Sequence, residues 1–349
     1  MIESHGLSWS VAESIPVHEE IKQRSGNYRM LIDQYKQSIR NLGSCGVDTV
    51  CYNFMPVLDW SRTDLEFHYD DGSITTRFEA RVMAAFDLHI LRRRRAEDDY
   101  PKEQVQEATR YFESLNETQR NRLQQAILLG FPGSWEAYSL EKLRAALDAY
   151  QDIHESALRE SLISFLKDIV PVAEESGMRM AIHPDDPPWP LLGLPRIVST
   201  KQHIVELLQA VDSPANGLTL CTGSLGAGEQ NDLVDIASTF ARRIHFAHLR
   251  NVIRTGPRDF NESEHLEGAV DMYGVMKTLI LEQQRRMDEG RMDRRLPFRP
   301  DHGRLTVADL QLADLKGKAV YPGYSLFGRM RALAELRGLE TGIRRALQA

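Results

Sequence analysis

Four residues with metal-binding side chains follow or end short apolar segments of this chain. They are two histidines, a cysteine and an aspartate: His183, Cys221, His248 and Asp301. Two imidazoles, a thiolate and a carboxylate suit a divalent transition ion such as Mn²⁺, Fe²⁺, Co²⁺ or Zn²⁺ better than Mg²⁺ or Ca²⁺, which prefer oxygen ligands. Catalysis at four protein ligands requires coordination to expand beyond a closed tetrahedron, which favours manganese or iron over structural zinc. We therefore predict a Mn²⁺ or Fe²⁺ site.

Each of these residues also has a purely structural interpretation. Cys221 fits an inert buried thiol, His183 fits a loop histidine, and Asp301 fits a turn. His245 and His248 are three residues apart, which on a strand places them on opposite faces, so only one of them can face the site. A common site is favoured because all four residues stand at predicted strand ends, and the carboxyl ends of parallel strands form the functional face of α/β folds.

Arginines surround two of the four residues. Arg250 and Arg254 follow the second histidine, and Arg299 and Arg304 flank the aspartate. Because an arginine holds a carboxylate through two parallel hydrogen bonds, this cluster predicts a small anionic substrate, with ordinary surface arginines as the alternative. Residues 321–325 further along are predicted to form a turn that presents a phenol to the site.

The segments that position these residues alternate between short β-rich runs and longer amphipathic helices. Six runs are nearly continuous in apolar or β-branched residues, as strands covered on both faces should be. They are residues 7–12, 47–53, 178–183, 217–221, 244–248 and 296–301. Helical spacing predicts a helix over 155–175 that ends at Gly177, and another that Thr200 caps. Such alternation implies parallel strands, hence a doubly wound sheet or a barrel.

Residues 78–138 interrupt this alternation. They contain Arg92 to Arg95, then an acidic stretch, then a long polar stretch with helical character. We interpret the arginines as a solvated helix end neutralised by the acids that follow, with a groove for an anionic ligand as the alternative. The segment is predicted to be a helical insertion in a single barrel domain of residues 1–349.

Composition limits the classes of function. The 349 residues are 42% hydrophobic and 27% charged, as in globular proteins, and the net charge of −7 disfavours a nucleic-acid partner. No apolar run approaches the roughly 20 residues that span a bilayer, and the start lacks the features of a signal peptide, so we expect a cytoplasmic protein without a membrane partner. The three cysteines cannot form a disulfide framework or a four-thiolate zinc site.

Seven distinctive segments are spread over nearly the whole chain: residues 13–19 (ESIPVHE), 51–60 (CYNFMPVLDW), 183–188 (HPDDPP), 221–224 (CTGS), 245–251 (HFAHLRN), 299–304 (RPDHGR) and 322–325 (PGYS). In this order they resemble segments of the mannonate dehydratases. The resemblance implies an α/β fold, a (β/α)8 TIM barrel related to the xylose-isomerase-like barrels. It implies dehydration of D-mannonate to 2-dehydro-3-deoxy-D-gluconate in glucuronate breakdown. It also implies that His183, Cys221, His248 and Asp301 bind Mn²⁺ or Fe²⁺.

The resemblance also implies roles for other residues. The catalytic residues of the family map onto His302, Tyr324 and Arg250, and we expect Arg250, Arg299 and Asn53 to bind the substrate. Residues 6–9 already resemble the second strand of the family, so the barrel is expected to lack its first strand–helix unit, unless the start codon is misplaced. A gapped barrel exposes backbone edges, and we expect a homo-oligomer in which a partner subunit covers them.

Dehydration of an aldonate needs a base for the C2 proton and an acid for the C3 hydroxyl. His302 and Tyr324 are the candidates, and the sequence leaves open which does which. Two other functions are compatible with these residues: a metal-dependent sugar isomerase or epimerase on the same barrel, and an inactive truncated barrel that binds acid sugars. The product separates them, because only a dehydratase makes a 2-keto-3-deoxy acid.

Overall fold

The computed structural model describes residues 1–130, 139–316 and 323–348. The strands of the described residues are β1 (Val11–Glu13), β2 (Thr49–Tyr52), β3 (Asp64–His68), β4 (Ile74–Phe78), β5 (Arg179–Ile182), β6 (Asn216–Cys221), β7 (Ile244–Leu249), β8 (Val252–Gly256), β9 (Asp259–Glu262) and β10 (Phe298–Pro300). The α-helices are α1 (Glu19–Gln23), α2 (Tyr28–Ser44), α3 (Ala80–Ala85), α4 (Lys102–Ser114), α5 (Glu117–Leu128), α6 (Leu140–Asp148), α7 (Glu155–Glu175), α8 (Lys201–Ala210), α9 (Thr222–Gly226), α10 (Leu233–Phe240), α11 (Met272–Asp288), α12 (Val307–Lys316) and α13 (Leu326–Ala346). Within this part of the chain, no helix is long and apolar enough to cross a membrane.

Six strands form one parallel sheet in the order β1-β2-β5-β6-β7-β10. Every residue of β2, β6 and β7 is buried, which explains their continuous apolar and β-branched character. The sheet curls into part of a barrel, and within the described residues β1 and β10 each pair with one neighbour only. Arg299 Nη1 reaches Glu13 Oε2 at 2.6 Å, so an ion pair links the two edge strands. The expected α/β barrel architecture is confirmed, with six parallel strands of the described residues in this curled sheet.

A second, antiparallel sheet was not predicted. Its order is β3-β4-β9-β8, and β8 and β9 follow β7 directly in the chain. The prediction of strand and helix in alternation is therefore wrong at these two hairpins. A glycine in the sequence marks the turn between β3 and β4. Gly72 has φ +80° there, in the left-handed region that favours glycine.

The predicted helices and strands agree with the structure except at the start of the chain. α7 covers the predicted range, Gly177 ends it with φ +64°, and Thr200 accepts a hydrogen bond from the backbone N–H of His203 at 3.2 Å to cap α8. The first strand was predicted over 7–12 but begins at Val11. Leu7 and Trp9 have exposed side chains, so their apolar character does not come from burial in a sheet.

The predicted insertion is helical where the structure describes it. α3, a π-helical turn (Phe86–Leu91), α4 and α5 occupy residues 80–128, and residues 131–138 of the predicted segment lie outside the described residues. Arg93 Nη2 pairs with Asp87 Oδ2 at 2.8 Å and with Asp99 Oδ2 at 2.6 Å, and Arg95 pairs with Asp98. Asp98 and Asp99, which follow the arginines, pair with them as the first interpretation stated, but the Arg93 side chain is mostly buried rather than solvated, and its second partner, the buried Asp87, precedes it.

Phe165 is the centre of the aromatic packing that fixes α7 against the sheet. Its ring lies 5.0 Å from that of Tyr35, 6.2 Å from Tyr52 and 5.7 Å from Phe54, measured between centroids. Burial of one such side chain stabilises a fold by about 1.5–3 kcal/mol, with more from edge-to-face ring contacts. This packing supports β2 and the loop after it, which carries part of the candidate site.

Candidate active site

Three of the four predicted metal ligands meet at the carboxyl ends of adjacent strands. His183 directly follows β5, Cys221 ends β6, and His248 lies on β7. One ligand atom from each lies within 4.8 Å of the others, and the two imidazole centroids are 5.0 Å apart. The parallel register produces this convergence, because it pairs Cys221 with His248 on neighbouring strands.

The surroundings of the two histidines fit a bound cation. The Nδ1 atom of His183 contacts the carbonyl oxygen of Pro184 at 2.7 Å, which directs Nε2 to serve as the ligand atom. Both ring nitrogens of His248 are buried without a hydrogen-bond partner, although Glu13 Oε2 lies 3.3 Å from Nε2. Since a buried unpaired nitrogen costs free energy that a metal bond offsets, the donor set fits a divalent transition ion.

Asp301 follows β10 and lies beside this group without belonging to the trio. Its Oδ2 is 3.8 Å from His248 Nδ1, and its Oδ1 accepts a hydrogen bond from Arg299 Nη2 at 2.8 Å. Burial acts to raise the pKa of the Asp301 carboxyl, but the neighbouring His302 and Arg299 bring it well below its usual value. The carboxylate is therefore ionised and suited to a cation.

A second trio of possible ligands shares His248 and includes a residue that the sequence did not single out. It consists of Glu13, Cys51 and His248, again with one ligand atom of each within 4.8 Å of the others. Glu13 was missed because the first strand was predicted to stop one residue earlier. As the last residue of β1, it occupies the same kind of strand-end position as the predicted ligands.

The predicted acid and base residues lie over the ligand group in a cavity of about 290 Å³. The rings of His302 and Tyr324 are 5.2 Å apart, and Gly303 pairs with Tyr324 through a parallel bridge. His302 has φ +50°, a strained conformation for a residue with a side chain and one that is common at functional sites. Burial and the charge of Asp301 raise the pKa of Tyr324 far above that of a free phenol, so the hydroxyl stays protonated.

Arg250 lines the cavity, but its guanidinium is already bound by carboxylates of the protein. Nε and Nη2 donate to the two carboxylate oxygens of Glu262 at 2.7 and 2.8 Å, and Nη1 donates to Asp186 at 2.6 Å. Arg62 also donates to both acids, so the two arginines and two acids form a buried ion-pair cluster. A two-pronged clamp by Arg250 on a substrate carboxylate would displace Glu262, so the expected catalytic and substrate-binding role of Arg250 stays a prediction that these ion pairs disfavour. Arg250 positions the two acids. Its side chain packs against the backbone of Gly223, where the Cβ of any other residue would lie 2.5 Å from the Arg250 side chain.

The other predicted arginines differ in their distance from the site. Arg299 lines the cavity between Glu13 and Asp301, and its Nε has no hydrogen-bond partner. Arg254 donates to the carbonyl oxygen of Gly226, and Arg304 pairs with Asp71 and Glu264. Neither of these two is among the residues that line the cavity.

Asn53 lines the cavity together with an acid that the sequence did not predict. Its Nδ2 donates to Asp59 Oδ1 at 2.8 Å. Asp59, Asp186, Glu262 and Arg62 were all missed by reasoning from single residues. Asp59 and Asp186 do lie in two of the segments that carry the family resemblance, whereas Arg62 and Glu262 belong to the part of the chain where the antiparallel sheet was not predicted.

Parallel strands that alternate with helices and place a polar cavity at their carboxyl ends define an enzyme of the α/β-barrel class. The family model described as D-mannonate dehydratase (UxuA) matches residues 1–349. The chain belongs to the mannonate dehydratase family and is thereby a hydro-lyase, which confirms the resemblance seen in the sequence.

Individual relatives agree with this assignment. The chain is 51% identical over 348 residues to the mannonate dehydratase of Marinomonas sp. (strain MWYL1), covering 99% of this chain and 87% of that protein. It is 51% identical over 345 residues to the mannonate dehydratase of Chromohalobacter salexigens, covering 99% and 86%. The crystal structure of mannonate dehydratase from Streptococcus suis serotype 2 superposes with a TM-score of 0.75 at 34% identity, covering 99% of this chain and 80% of that one.

Proposed function

We propose that this chain converts D-mannonate to 2-dehydro-3-deoxy-D-gluconate and water in glucuronate breakdown, with Mn²⁺ or Fe²⁺ held by His183, Cys221, His248 and Asp301. The observation that carries this proposal is the position of His302 and Tyr324 in one cavity with Asp301 and with His183, whose ligand atom converges with those of Cys221 and His248. When bound, the ion acts as a Lewis acid toward negative charge that develops at the substrate carboxylate.

The proton transfers are assigned to His302 and Tyr324. Because the raised pKa of Tyr324 keeps its hydroxyl protonated, this residue suits the acid that protonates the departing C3 hydroxyl. By this assignment His302 is the base that takes the C2 proton. Its Nδ1 lies 3.4 Å from Glu262 Oε1 and its Nε2 lies 3.7 Å from Asp301 Oδ2, so the imidazolium formed in this step has carboxylates on both sides.

The remaining polar residues bind and orient the acid sugar. Arg299, a cation that lines the cavity, suits the substrate carboxylate, and Asn53 suits a hydroxyl. Arg250 acts at one remove by holding Asp186 and Glu262 in place. We further propose a homo-oligomer, supported by the outer edges of β1 and β10, which pair with no further strand of residues 1–130, 139–316 and 323–348, and by the exposed side chains of Leu7 and Trp9.

The test is to incubate anaerobically purified protein with Mn²⁺ or Fe²⁺ and D-mannonate and to assay for a 2-keto-3-deoxy acid. We expect product that His183→Ala abolishes and that His245→Ala retains, since His245 is buried on β7 and does not line the cavity. Formation of an isomeric sugar acid without loss of water would support an isomerase or epimerase instead. Binding of D-mannonate without turnover at full metal loading would support an inactive barrel.

A further inference from the structure

We infer that Asp59 and Asn53 form a hydroxyl-binding pair that selects the configuration of the distal carbon chain of the substrate. This inference rests on the proposed dehydration of an aldonate and adds a specificity determinant to it. It starts from the hydrogen bond that joins the two side chains, with Asn53 Nδ2 donating to Asp59 Oδ1 at 2.8 Å inside the cavity that His183 and His302 also line. That bond uses one carboxylate oxygen and leaves Asp59 Oδ2 and Asn53 Oδ1 as acceptors for hydroxyl groups.

Asp59 differs from the other acids that line the cavity in what it pairs with. Glu13 and Asp301 are both bound by Arg299, and Asp186 is bound by Arg62 and Arg250. In the described part of the chain, no arginine or lysine forms an ion pair with Asp59, and its side-chain hydrogen-bond partner there is the neutral amide of Asn53. Its capacity to accept hydrogen bonds is therefore available to a ligand, whereas that of the other three acids is largely used within the protein.

The charge of Asp59 indicates which part of the substrate it contacts. A carboxylate repels the carboxylate at C1 of an aldonate and accepts hydrogen bonds from hydroxyl groups. The C2 and C3 positions must face His302 and Tyr324 for proton transfer, so the hydroxyls left for Asp59 are those beyond C3. An epimer inverted at the contacted carbon turns a hydrogen toward Asp59 and leaves a desolvated acceptor unpaired, which is a strong basis for discrimination.

The loop that carries the pair is held rigidly before any substrate binds. Four hydrogen bonds from other parts of the chain fix its backbone: Lys22 Nζ to the carbonyl oxygen of Met55 at 2.7 Å, the N–H of Val57 to Glu19 Oε2 at 3.3 Å, Arg196 Nη1 to the carbonyl oxygen of Leu58 at 3.2 Å, and the N–H of Asp59 to the carbonyl oxygen of Gly130 at 2.8 Å. Acceptors fixed in advance need no ordering on binding and enforce one geometry, as a specificity determinant requires.

A proton-transfer role for Asp59 is the competing explanation. Burial raises the pKa of the Asp59 carboxyl, which also suits a proton donor. The two roles predict different kinetics. A residue that binds a distal hydroxyl loses its effect when that hydroxyl is removed from the substrate, whereas a proton donor keeps its effect on every substrate that reacts.

The experiment is therefore a cycle that deletes the carboxylate from the protein and the hydroxyl from the substrate. Wild type, Asp59→Asn, Asp59→Ala and Asn53→Ala are compared on D-mannonate and on its 4-deoxy and 5-deoxy analogues, since C4 and C5 are the stereocentres beyond C3. We expect one analogue to lose roughly 10- to 100-fold in kcat/KM with wild type, as for a hydrogen bond to a charged group. With Asp59→Ala that analogue and D-mannonate should react at nearly equal kcat/KM. Asp70→Ala, an exposed carboxylate in the turn between β3 and β4, is the matched control.

Two further measurements keep each outcome decisive. First, the binding of D-mannonate and each analogue to every metal-loaded protein is measured by calorimetry. If the wild type makes no product, the proposed function is contradicted, but these binding affinities still test the inference on Asp59. Thermal unfolding of each variant identifies any that fail to fold, and Asp59→Asn then replaces Asp59→Ala. Equal losses for wild type and variant on every analogue, or a loss confined to kcat on all substrates, would overturn the hydroxyl-binding role.

Discussion

Glu262 Oε1 lies 3.4 Å from His302 Nδ1, although the two residues come from different parts of the fold. Glu262 ends β9 of the antiparallel sheet, and His302 follows β10 of the parallel sheet. Burial acts to raise the pKa of the Glu262 carboxyl, but the neighbouring Arg250 and Arg62 bring it below its usual value. Glu262 therefore stays ionised and does not compete for the proton that His302 takes. The second sheet thus supplies a carboxylate that lies beside the proposed base.

Replacement of Glu262 by glutamine tests this relationship. We expect kcat to fall by roughly 10- to 100-fold with metal content unchanged, as for other residues that orient a catalytic group. The variant also leaves two buried arginines undercompensated, so its free energy of unfolding is measured alongside the kinetics. Unchanged kcat in a folded, metal-loaded Glu262→Gln protein would show that His302 does not depend on this carboxylate.

The two proposed proton-transfer residues should each matter on their own. We expect His302→Ala and Tyr324→Phe to lower kcat by about 10²-fold or more, in line with general acid and base contributions, while the metal remains bound. Steady-state kinetics together with metal analysis checks this. If both variants turn over at nearly the wild-type rate, the assignment of acid and base fails.

The histidines of β7 provide a paired test of metal binding. His248 faces the ligand group, and His245 lies outside both groups of possible ligands. We expect His248→Ala to bind less than half of the Mn²⁺ that wild type binds, and His245→Ala to bind the wild-type amount, because only the first substitution removes a ligand. Elemental analysis after dialysis measures the stoichiometry independently of activity, and equal metal loss in both variants would contradict the ligand set.

His245 should instead make stability depend on pH. Burial, with further lowering from Arg179, brings the pKa of His245 to about 3, so the folded protein keeps this imidazole neutral. The unfolded chain takes up a proton there near pH 6.5, so between these two values the folded state loses about 1.4 kcal/mol of stability for each unit that the pH falls. Urea unfolding at pH 7, 6 and 5 should show a shallower fall for His245→Asn than for wild type. Identical slopes would rule out this linkage.

The aromatic packing around α7 predicts a measurable effect on stability. Phe165→Ala removes the ring that contacts Tyr35, Tyr52 and Phe54, and we expect it to lower the free energy of unfolding by about 3–5 kcal/mol. Phe165→Leu, which keeps most of the volume, should cost clearly less. Denaturant titration of the three proteins checks the order, and equal losses would mean that ring contacts contribute little.

The sequence predicts what depends on local pattern. Continuous burial of parallel strands leaves a continuous apolar run, so β6 and β7 are visible in the sequence together with Cys221 and His248 at or near their carboxyl ends. The same reasoning failed for Glu13, because the predicted first strand stopped one residue before it. Patterns of this kind locate a residue along the chain and not in space.

Contacts between distant segments were not predictable from such patterns. Arg250 was expected to bind a substrate carboxylate. The carboxylate that it binds in the structure is that of Glu262. Nothing in the short, mixed segments around Arg62 and Glu262 distinguishes buried ion-paired residues from surface ones. Their role follows from the antiparallel sheet, whose pairing joins residues nearly 200 positions apart.

The seam between β1 and β10 is closed in the described residues by the ion pair of Glu13 with Arg299 rather than by a backbone ladder. Strands bonded on one side only open at lower free energy than strands bonded on both. Amide hydrogens of β1 and β10 should therefore exchange with deuterium sooner than those of β6, which has a partner on each side. Raised salt, which screens the pair, should quicken that exchange. Any such opening would begin at Glu13 and Arg299, which line the catalytic cavity, and would therefore expose that cavity to solvent.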